Sequence, residues 1–433
     1  MDEPRDAVMG LWMTTALVVG TIVGAGIFML PVSLAPLGAN VPIAWAISGA
    51  GVVCIAASLA RLSTLGGEGI QANVERQFGA TAGFLVAWSF WVSNWTAQAS
   101  VALGIGSALA FLSPDRLGGS VMPMAVSSLL LVTALNAVGA RASGRFGIVT
   151  VAIKLLPLFA VLWLLAERGL SGAAFEPLPP TPVTLANLAA ATALTFFALT
   201  GFEMATTPVG KVRDPARTIP RALIGGTLFV VLLYAFAGSG LQRLLPAETV
   251  AASPAPFADV LIREWGDVAA GFAAAAIAVA AIGCLNGLVL GTGELGLSMG
   301  RRGDLPATMA RTRGRETPVV AQVAGTALSI GLLLANSGEE TAALFTFAIL
   351  LSTSAVGVVY AVGSAAAWRL SSTGGKSLIL LAFAFLAFAL AGIGWSANLW
   401  VLALLGIGLA IRTLMHRSMS EAARAGAPRV PAA

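Results

Sequence analysis

Three glycines interrupt an apolar stretch near the start of the chain. Residues 18–31 read VVGTIVGAGIFMLP, with the glycines spread over seven positions. Because glycine costs a helix interior about 1 kcal/mol relative to alanine, the segment favours a local break in a helix. Such a break frees N–H groups around Ala25 and Gly26 and the carbonyl group of Ile22. Free N–H groups suit a carboxylate and free carbonyls suit an ammonium, so the pattern predicts a zwitterion site.

Close helix packing is the alternative explanation, because Gly20 and Gly24 form a small-xxx-small pattern that lets helices approach each other in lipid. A second interrupted segment favours the break. It reads LTFFALTGFEMATTPVG over residues 194–210 and holds a Thr-Gly pair, then Glu203 and Pro208. Irregular backbone at membrane depth is tolerated only where protein or a cavity satisfies it. Two such segments therefore predict a site at the breaks.

Three charged side chains lie inside apolar stretches, where a charge is costly and marks a functional candidate. Glu203 follows the second interruption, and it either switches with proton or substrate binding or accepts hydrogen bonds structurally. Lys154 lies eight residues, about 12 Å, past Phe146, which favours a buried cationic role over a lipid-facing one. Glu294 lies in GTGELG, a G-x-G-x-x-G match without a preceding strand, so dinucleotide binding is not predicted. Glu294 is a candidate for lining a pathway.

A further apolar stretch carries polar and aromatic side chains on one helical face. Trp91, Asn94, Trp95 and Gln98 recur at i, i+3, i+4 and i+7. This face predicts either a pocket lining or an aromatic interface with amide hydrogen bonds between helices.

The composition places these residues in a membrane. The chain has 433 residues, of which 57% are hydrophobic and 10% charged, whereas soluble domains carry about 25% charged residues. Stretches of roughly 20 apolar residues predict transmembrane helices. We predict 12 of them, at approximately residues 10–35, 41–60, 81–111, 120–139, 146–166, 185–209, 220–241, 268–299, 317–335, 341–368, 377–393 and 396–412.

Charge distribution predicts the orientation. Most of the 25 lysine and arginine residues fall in segments on the same side as the N-terminus. Because basic loops remain cytoplasmic, both termini are predicted to be cytoplasmic. The net charge of +5 is explained by this topology, so no nucleic-acid partner is predicted.

The two interrupted helices are the first and the sixth, five spans apart. Interrupted helices at matching places in two five-helix halves predict an inverted-repeat transporter with its site at the breaks. The predicted organisation is a single transporter domain, residues 1–433. Its parts are a first repeat (10–166), a second inverted repeat (185–368), two peripheral helices (377–412) and a cytoplasmic tail (413–433).

Several motifs resemble the amino acid–polyamine–organocation superfamily, specifically its basic amino acid/polyamine antiporter branch. They are TIVGAGIFMLP, GGEGIQANVERQFG, TGFEMATTPVGKVRDPARTIPRA, IKLLP and DLPATMARTRGRETP, in the family's order over nearly the whole chain. The resemblance implies an all-α integral membrane fold of the LeuT type. That fold is a 5+5 inverted repeat with broken helices 1 and 6, plus two peripheral helices.

The resemblance also implies a substrate site. Ala25 and Gly26 would bind the substrate carboxylate, while the carbonyl groups of Ile22 and of the region around Phe197 and Thr200 would take the α-amino group. Phe197 stands where the arginine/agmatine antiporter has a tryptophan. Since phenylalanine is the poorer cation–π partner, the resemblance does not predict arginine specificity.

Further residues match gating or coupling positions. Gln98 stands where the arginine/agmatine antiporter has an asparagine, and Phe90 and Glu203 fall on gating positions. Lys154 matches a lysine of the fifth span that replaces a sodium ion in several relatives. A gating tyrosine late in the tenth span is expected to be absent.

These features predict a secondary active amino acid transporter that works by alternating access, as an amino acid/amine exchanger. The alternative is a proton-coupled importer or exporter of neutral amino acids, with Lys154 or Glu203 as the coupling group. We expect a multi-pass inner-membrane protein that binds a small-molecule substrate and the lipid bilayer. The spans hold no histidine and no acidic pair at ligand spacing, so we expect no enzyme activity, metal or cofactor. Protons as a second partner and a homodimer remain open.

Overall fold

The computed structural model describes residues 9–24, 26–63, 69–112, 120–138, 141–203, 212–313 and 317–424. This part of the chain is built almost entirely of α-helices. The helices are α1 (Leu11–Ile22), α2 (Gly26–Leu34), α3 (Asn40–Ser63), α4 (Gly69–Phe78), α5 (Ala80–Leu112), α6 (Val121–Val138), α7 (Arg141–Ser171), α8 (Leu185–Ala198), α9 (Pro215–Leu241), α10 (Ala247–Ala252), α11 (Pro256–Trp265), α12 (Asp267–Arg301), α13 (Val319–Ala335), α14 (Thr341–Trp368), α15 (Thr373–Ile393) and α16 (Trp395–Arg424).

Every predicted span overlaps at least one of these helices. Within the described residues, seven helices are long and apolar enough to cross a membrane individually: α3, α5, α9, α12, α14, α15 and residues 395–419 of α16. The bent pair α1 and α2 together covers the first predicted span. The short helices α4, α10 and α11 were not predicted, because they are too short to register as spans. The fold is that of a multi-pass helical membrane protein, and its division into 5+5 inverted repeats stays a prediction.

The first predicted interruption is present, and the helix of the sixth span ends where its break was predicted. Helix α1 ends at Ile22 and α2 begins at Gly26, with a bend of 44° between the two segments. Helix α8 ends at Ala198, well before the predicted end of the sixth span at residue 209. Gly201 follows with φ +107°, a left-handed conformation that favours glycine over residues with a side chain. Pro208, the other helix breaker of this segment, lies outside the described residues.

Helix α5 forms the centre of the bundle. It packs against α12, α14, α6 and α13, and its residues are buried on all sides over most of its length. Close approach of the helices depends on small residues: a Cβ atom added at Gly106 would lie 2.5 Å from the carbonyl oxygen of Val121 on α6. Small residues allow such contacts between membrane helices.

The two halves of the first span have different surroundings. Helix α1 packs mainly against α7 and α9, whereas α2 packs against α5, α8 and α9 and against the short helices α10 and α11. The hydroxyl groups of Ser33, on α2, and Thr346, on α14, lie 2.7 Å apart. Phe28 on α2 meets Phe257 on α11 edge to face, with ring centroids 5.3 Å apart. Helix α2 is buried over almost its whole length, whereas α1 is buried along one side.

Candidate substrate site at two helix breaks

The two breaks meet inside the bundle. A Cβ atom added at Gly201 would lie 2.6 Å from the carbonyl oxygen of Thr21, the residue before the end of α1. A Cβ atom added at Gly26 would lie 2.6 Å from Cε1 of Phe197, near the end of α8. Glycine at these two positions therefore lets the backbone of each span approach the other break. The structure brings together Gly26 and Phe197, two of the residues that the sequence assigned to a substrate site.

Two side chains from other helices donate hydrogen bonds to the backbone at the first break. The Lys154 ammonium, on α7, donates to the carbonyl oxygen of Gly20 over 3.3 Å, and the side chain is only 4% exposed. The Tyr234 hydroxyl, on α9, donates to the carbonyl oxygen of Ile22 over 3.4 Å. Lys154 thus places a buried positive charge against the carbonyl end of α1, where a cation is electrostatically favoured.

A third side chain reaches the same break from α12. The Sγ atom of Cys284 lies 2.9 Å from the position that a Cβ atom of Gly24 would occupy. This contact was not predicted, since a cysteine in an apolar run usually behaves as a small hydrophobic residue. It shows which face of α12 is turned toward the break.

The second break is held by a carboxylate. Oε2 of Glu203 accepts a hydrogen bond from the backbone N–H of Gly201 over 3.0 Å and another from the Tyr360 hydroxyl over 2.5 Å. The carbonyl oxygen of Phe197, at the end of α8, accepts from the backbone N–H of Thr200 over 3.1 Å and from the Thr200 hydroxyl over 2.7 Å. Glu203 is 4% exposed, and these hydrogen bonds compensate part of the cost of its burial.

Tyr360 corrects one expectation. The tenth span was expected to lack a gating tyrosine, yet Tyr360 lies on α14 and donates directly to Glu203. Its ring also stacks on Phe202, with centroids 5.1 Å apart. The chain has only two tyrosines, and both bind a group at a break. A sequence signal for them exists, because the hydroxyl of a buried tyrosine usually has a hydrogen-bond partner.

Gln98 bonds to two neighbouring helices. Its Nε2 atom donates to Oγ1 of Thr292, on α12, over 2.7 Å, and to the carbonyl oxygen of Leu288 over 3.3 Å. Its Oε1 atom accepts from the Ser329 hydroxyl, on α13, over 3.2 Å. The amide therefore links three helices, and these contacts give its predicted role in substrate binding no support. That role stays a prediction.

The remaining candidates have separate positions. Asn94 is buried on α5, and Phe90 is half-buried and packs against the main apolar core. Glu294 is exposed on α12. Ala25, the other predicted carboxylate-binding residue, lies outside the described residues. Within the described ranges, no three His, Cys, Asp or Glu side chains come together in a group that could hold a metal ion.

Comparison with known proteins places the chain in a transporter family. A family model described as amino acid permease matches residues 9–402. The chain is 30% identical over 353 residues to a putative arginine/ornithine antiporter of Bacillus subtilis, covering 72% of this chain and 74% of the relative.

Two relatives from Escherichia coli are similar over comparable lengths. A cadaverine/lysine antiporter is 28% identical over 354 residues, covering 78% of each chain. The putrescine transporter PotE is 25% identical over 344 residues, covering 77% of each chain. Family and relatives are membrane transporters and not enzymes, in agreement with the helical bundle and its paired breaks. The chain belongs to the amino acid permease family, within the amino acid–polyamine–organocation superfamily of inner-membrane transporters.

Proposed function

We propose that the protein exchanges an amino acid for a related amino acid or amine across the inner membrane. The relatives named for arginine, ornithine, lysine, cadaverine and putrescine support a substrate with a cationic side chain or a second amino group. The observation that carries the proposal is the contact between Gly26 and Phe197, where the start of α2 meets the end of α8.

The backbone at this contact suits a zwitterion. The first N–H groups of α2 have no acceptor within their own helix, and the positive end of the helix dipole favours an anion there. The substrate carboxylate would lie against Gly26, and its α-amino group would lie toward the carbonyl of Ile22. The ring of Phe197 would then pack against the substrate side chain.

Lys154 would act as a buried cation in the site. Its ammonium is bonded to the Gly20 carbonyl, so the first break carries a positive charge without a bound metal ion. Transport is therefore expected to proceed without sodium. Movement of α7 relative to α1 would break this bond, which gives the protein a means of coupling the break to a conformational change.

Access is proposed to alternate around the breaks. The Ser33–Thr346 and Phe28–Phe257 contacts close the side of the bundle around α2. With both termini cytoplasmic, as the basic residues predict, this closed side is the periplasmic one. The partial exposure of α1, in contrast to the burial of α2, supports an inward-facing conformation, in which substrate enters or leaves on the cytoplasmic side.

Countertransport in proteoliposomes tests the proposal. Vesicles preloaded with labelled arginine, ornithine or lysine should release label slowly into buffer and much faster when an unlabelled basic amino acid or diamine is added outside. Protein-free vesicles and Phe197→Ala protein are the controls. Release that does not depend on external substrate, or uptake of neutral amino acids driven by a proton gradient alone, would overturn exchange as the function.

A further inference from the structure

A cavity with a volume of about 580 Å³ lies beside the ends of α7 and α9. Leu165 lines it from α7, Ala235 and Phe236 line it from α9, and Phe175 lines it from the segment that follows α7. These walls are apolar, and the Phe236 side chain is 64% exposed. The cavity is therefore open at the surface of the bundle.

The cavity lies at the level where predicted spans end. Pro42, Leu165 and Gly240 all line it. Each lies at a boundary of a predicted span, in the order 41–60, 146–166 and 220–241. With both termini cytoplasmic, as the basic residues predict, these three boundaries are periplasmic. Since a span covers the hydrocarbon core and the headgroups lie at its ends, the cavity faces the outer leaflet at the border between acyl chains and headgroups.

Arg243 adds a positive charge to this lining. Its Cζ atom lies 5.5 Å from the ring centroid of Phe175. Within the described residues, none of the ion pairs includes Arg243, and the carboxylate of Glu176, whose backbone N–H donates to the Arg243 carbonyl, is bonded to Arg263 over 3.0 Å. A guanidinium presents a fork of N–H donors that matches the oxygen atoms of a phosphate. The cavity thus combines apolar walls with a group suited to an anion.

Two more lining residues carry buried polar atoms. Gln242 is 1% exposed, and within the described part of the chain neither the nitrogen nor the oxygen of its amide has a hydrogen-bond partner. The same holds for the hydroxyl group of Ser239. Because buried polar groups are usually hydrogen-bonded, the two side chains indicate a ligand that carries both acceptor oxygens and a donor.

The cavity is formed by the two helices that donate to the first break. Helix α7 carries Lys154, and α9 carries Tyr234, the residue before Ala235. The helices touch directly beside the cavity, where a Cβ atom added at Gly240 would overlap the side chain of Leu165. A ligand bound to both helices would stabilise their relative position, and with it the donors of the first break.

We propose that this cavity binds an anionic glycerophospholipid of the outer leaflet, with its phosphate at Arg243 and an acyl chain along the apolar walls. Basic pockets between transmembrane helices bind the headgroups of anionic lipids in this way. The headgroup hydroxyls of a lipid such as phosphatidylglycerol supply the donor that the Gln242 amide oxygen lacks. A small soluble anion would leave the apolar walls unused, and a zwitterionic lipid carries an ammonium group that Arg243 repels.

Lipid retention by the purified protein tests the site without any transport measurement. Native mass spectrometry would count the lipids that remain bound after incubation with equal amounts of phosphatidylglycerol and phosphatidylcholine. The wild-type protein should retain one phosphatidylglycerol in preference, and Arg243→Gln should lower that retention about fivefold. Arg217→Gln is the matched control, because Arg217 is an exposed cation at the other end of α9, and it should retain lipid as the wild type does.

A second variant tests the cavity itself. Ala235→Leu fills part of the space and leaves Arg243 in place, so it should also lower the retention of phosphatidylglycerol. Size-exclusion chromatography shows whether each variant is folded. Excess glycerol 3-phosphate should leave the bound lipid in place, since it lacks acyl chains.

Three results would overturn the proposal. They are equal retention of the two lipids by the wild type, unchanged retention in Arg243→Gln, and displacement of the lipid by glycerol 3-phosphate, which would identify a site for soluble phosphate esters.

The link to the first break has a separate test, which rests on the proposed exchange function. Countertransport by the wild type should be faster in phosphatidylcholine vesicles that contain phosphatidylglycerol than in those that do not, and Arg243→Gln should lose this stimulation. Equal stimulation of both proteins would contradict the link. Absence of countertransport in every vesicle would count against exchange and would leave the lipid site to be judged by mass spectrometry.

Discussion

The two helix breaks are stabilised by opposite kinds of group. The first break offers carbonyl oxygens, and donors from distant helices satisfy them: Lys154 from α7 and Tyr234 from α9. The second break offers an N–H group at Gly201, and the carboxylate of Glu203, two residues away, accepts from it. Tyr360 then connects that carboxylate to α14.

The two breaks therefore differ in how far their hydrogen bonds depend on neighbouring helices. The first break depends on the positions of α7 and α9, so any shift of those helices changes which carbonyls are free. The second break has one hydrogen bond within its own segment, from Gly201 to Glu203, and one from Tyr360 on α14. We infer that the first break responds to conformational change and that the second acts as the more rigid partner against which it moves.

The largest expected effect comes from Gly201→Ala, which forces the two breaks apart. The added methyl group would lie 2.6 Å from the Thr21 carbonyl oxygen, and the φ of +107° is unfavourable for alanine. We expect exchange near the background of empty vesicles and a lower yield of folded protein in size-exclusion chromatography. Gly172→Ala is the control, because Gly172 also has a positive φ but no atom within 4 Å of the added methyl group. If both variants exchange at the wild-type rate, the breaks do not depend on close contact.

The second expected effect comes from Lys154→Ala, which removes the cation from the first break. A hydrogen bond to a charged group contributes about 1.5–3 kcal/mol, so we expect a decrease in exchange rate of about tenfold to hundredfold. The protein should remain folded and bind substrate, since the breaks still meet at Gly201 and Gly26. Lys154→Arg should restore only part of the rate, because a planar guanidinium does not replace a compact ammonium. A wild-type rate and pH profile in Lys154→Ala would assign the lysine a purely structural role.

The residues at the breaks that could be predicted from the sequence are those of a type that is rare in a membrane span. Glycine clusters weaken a helix wherever they occur, and a charge in an apolar run is costly, so Gly26, Lys154 and Glu203 were found from residue type alone. The helix ends near Ile22 and Ala198 follow from the same reasoning.

Side-chain direction was harder to predict. Helix α5 is buried on nearly all sides, so its periodicity does not indicate which face is turned toward the breaks. The amide of Gln98 bonds to α12 and α13, and its assignment to the substrate site stays a prediction. Tyr360 was missed for a different reason: an aromatic side chain in a span resembles the apolar residues around it until its hydroxyl has a known partner.

The third expected effect comes from Tyr360→Phe, which weakens the support of the second break. The Tyr360 hydroxyl donates a hydrogen bond to the buried Glu203 side chain. Its loss leaves Glu203 buried with fewer donors, and we expect the exchange rate to fall about fivefold to tenfold with a lower melting temperature. Glu203→Gln combined with Tyr360→Phe should cost less than the sum of the two single changes, because the neutral amide no longer needs that donor. Strictly additive effects would show that the two side chains act independently.

The smallest expected effect comes from Tyr234→Phe, the matching change at the first break. Its hydroxyl lies 3.4 Å from the Ile22 carbonyl oxygen, near the upper limit for a hydrogen bond. Lys154 remains as a charged donor to Gly20, two residues earlier, so we expect less than about a threefold loss of exchange rate in wild-type background. In Lys154→Ala background the same change should be larger, because Tyr234 is then the remaining donor of the two. Measuring all four proteins in one countertransport assay gives the interaction energy between the two donors. An equal loss in both backgrounds would mean that Tyr234 and Lys154 act on the first break independently. The difference between a break bonded by distant helices and one bonded within its own segment would then depend on Lys154 alone.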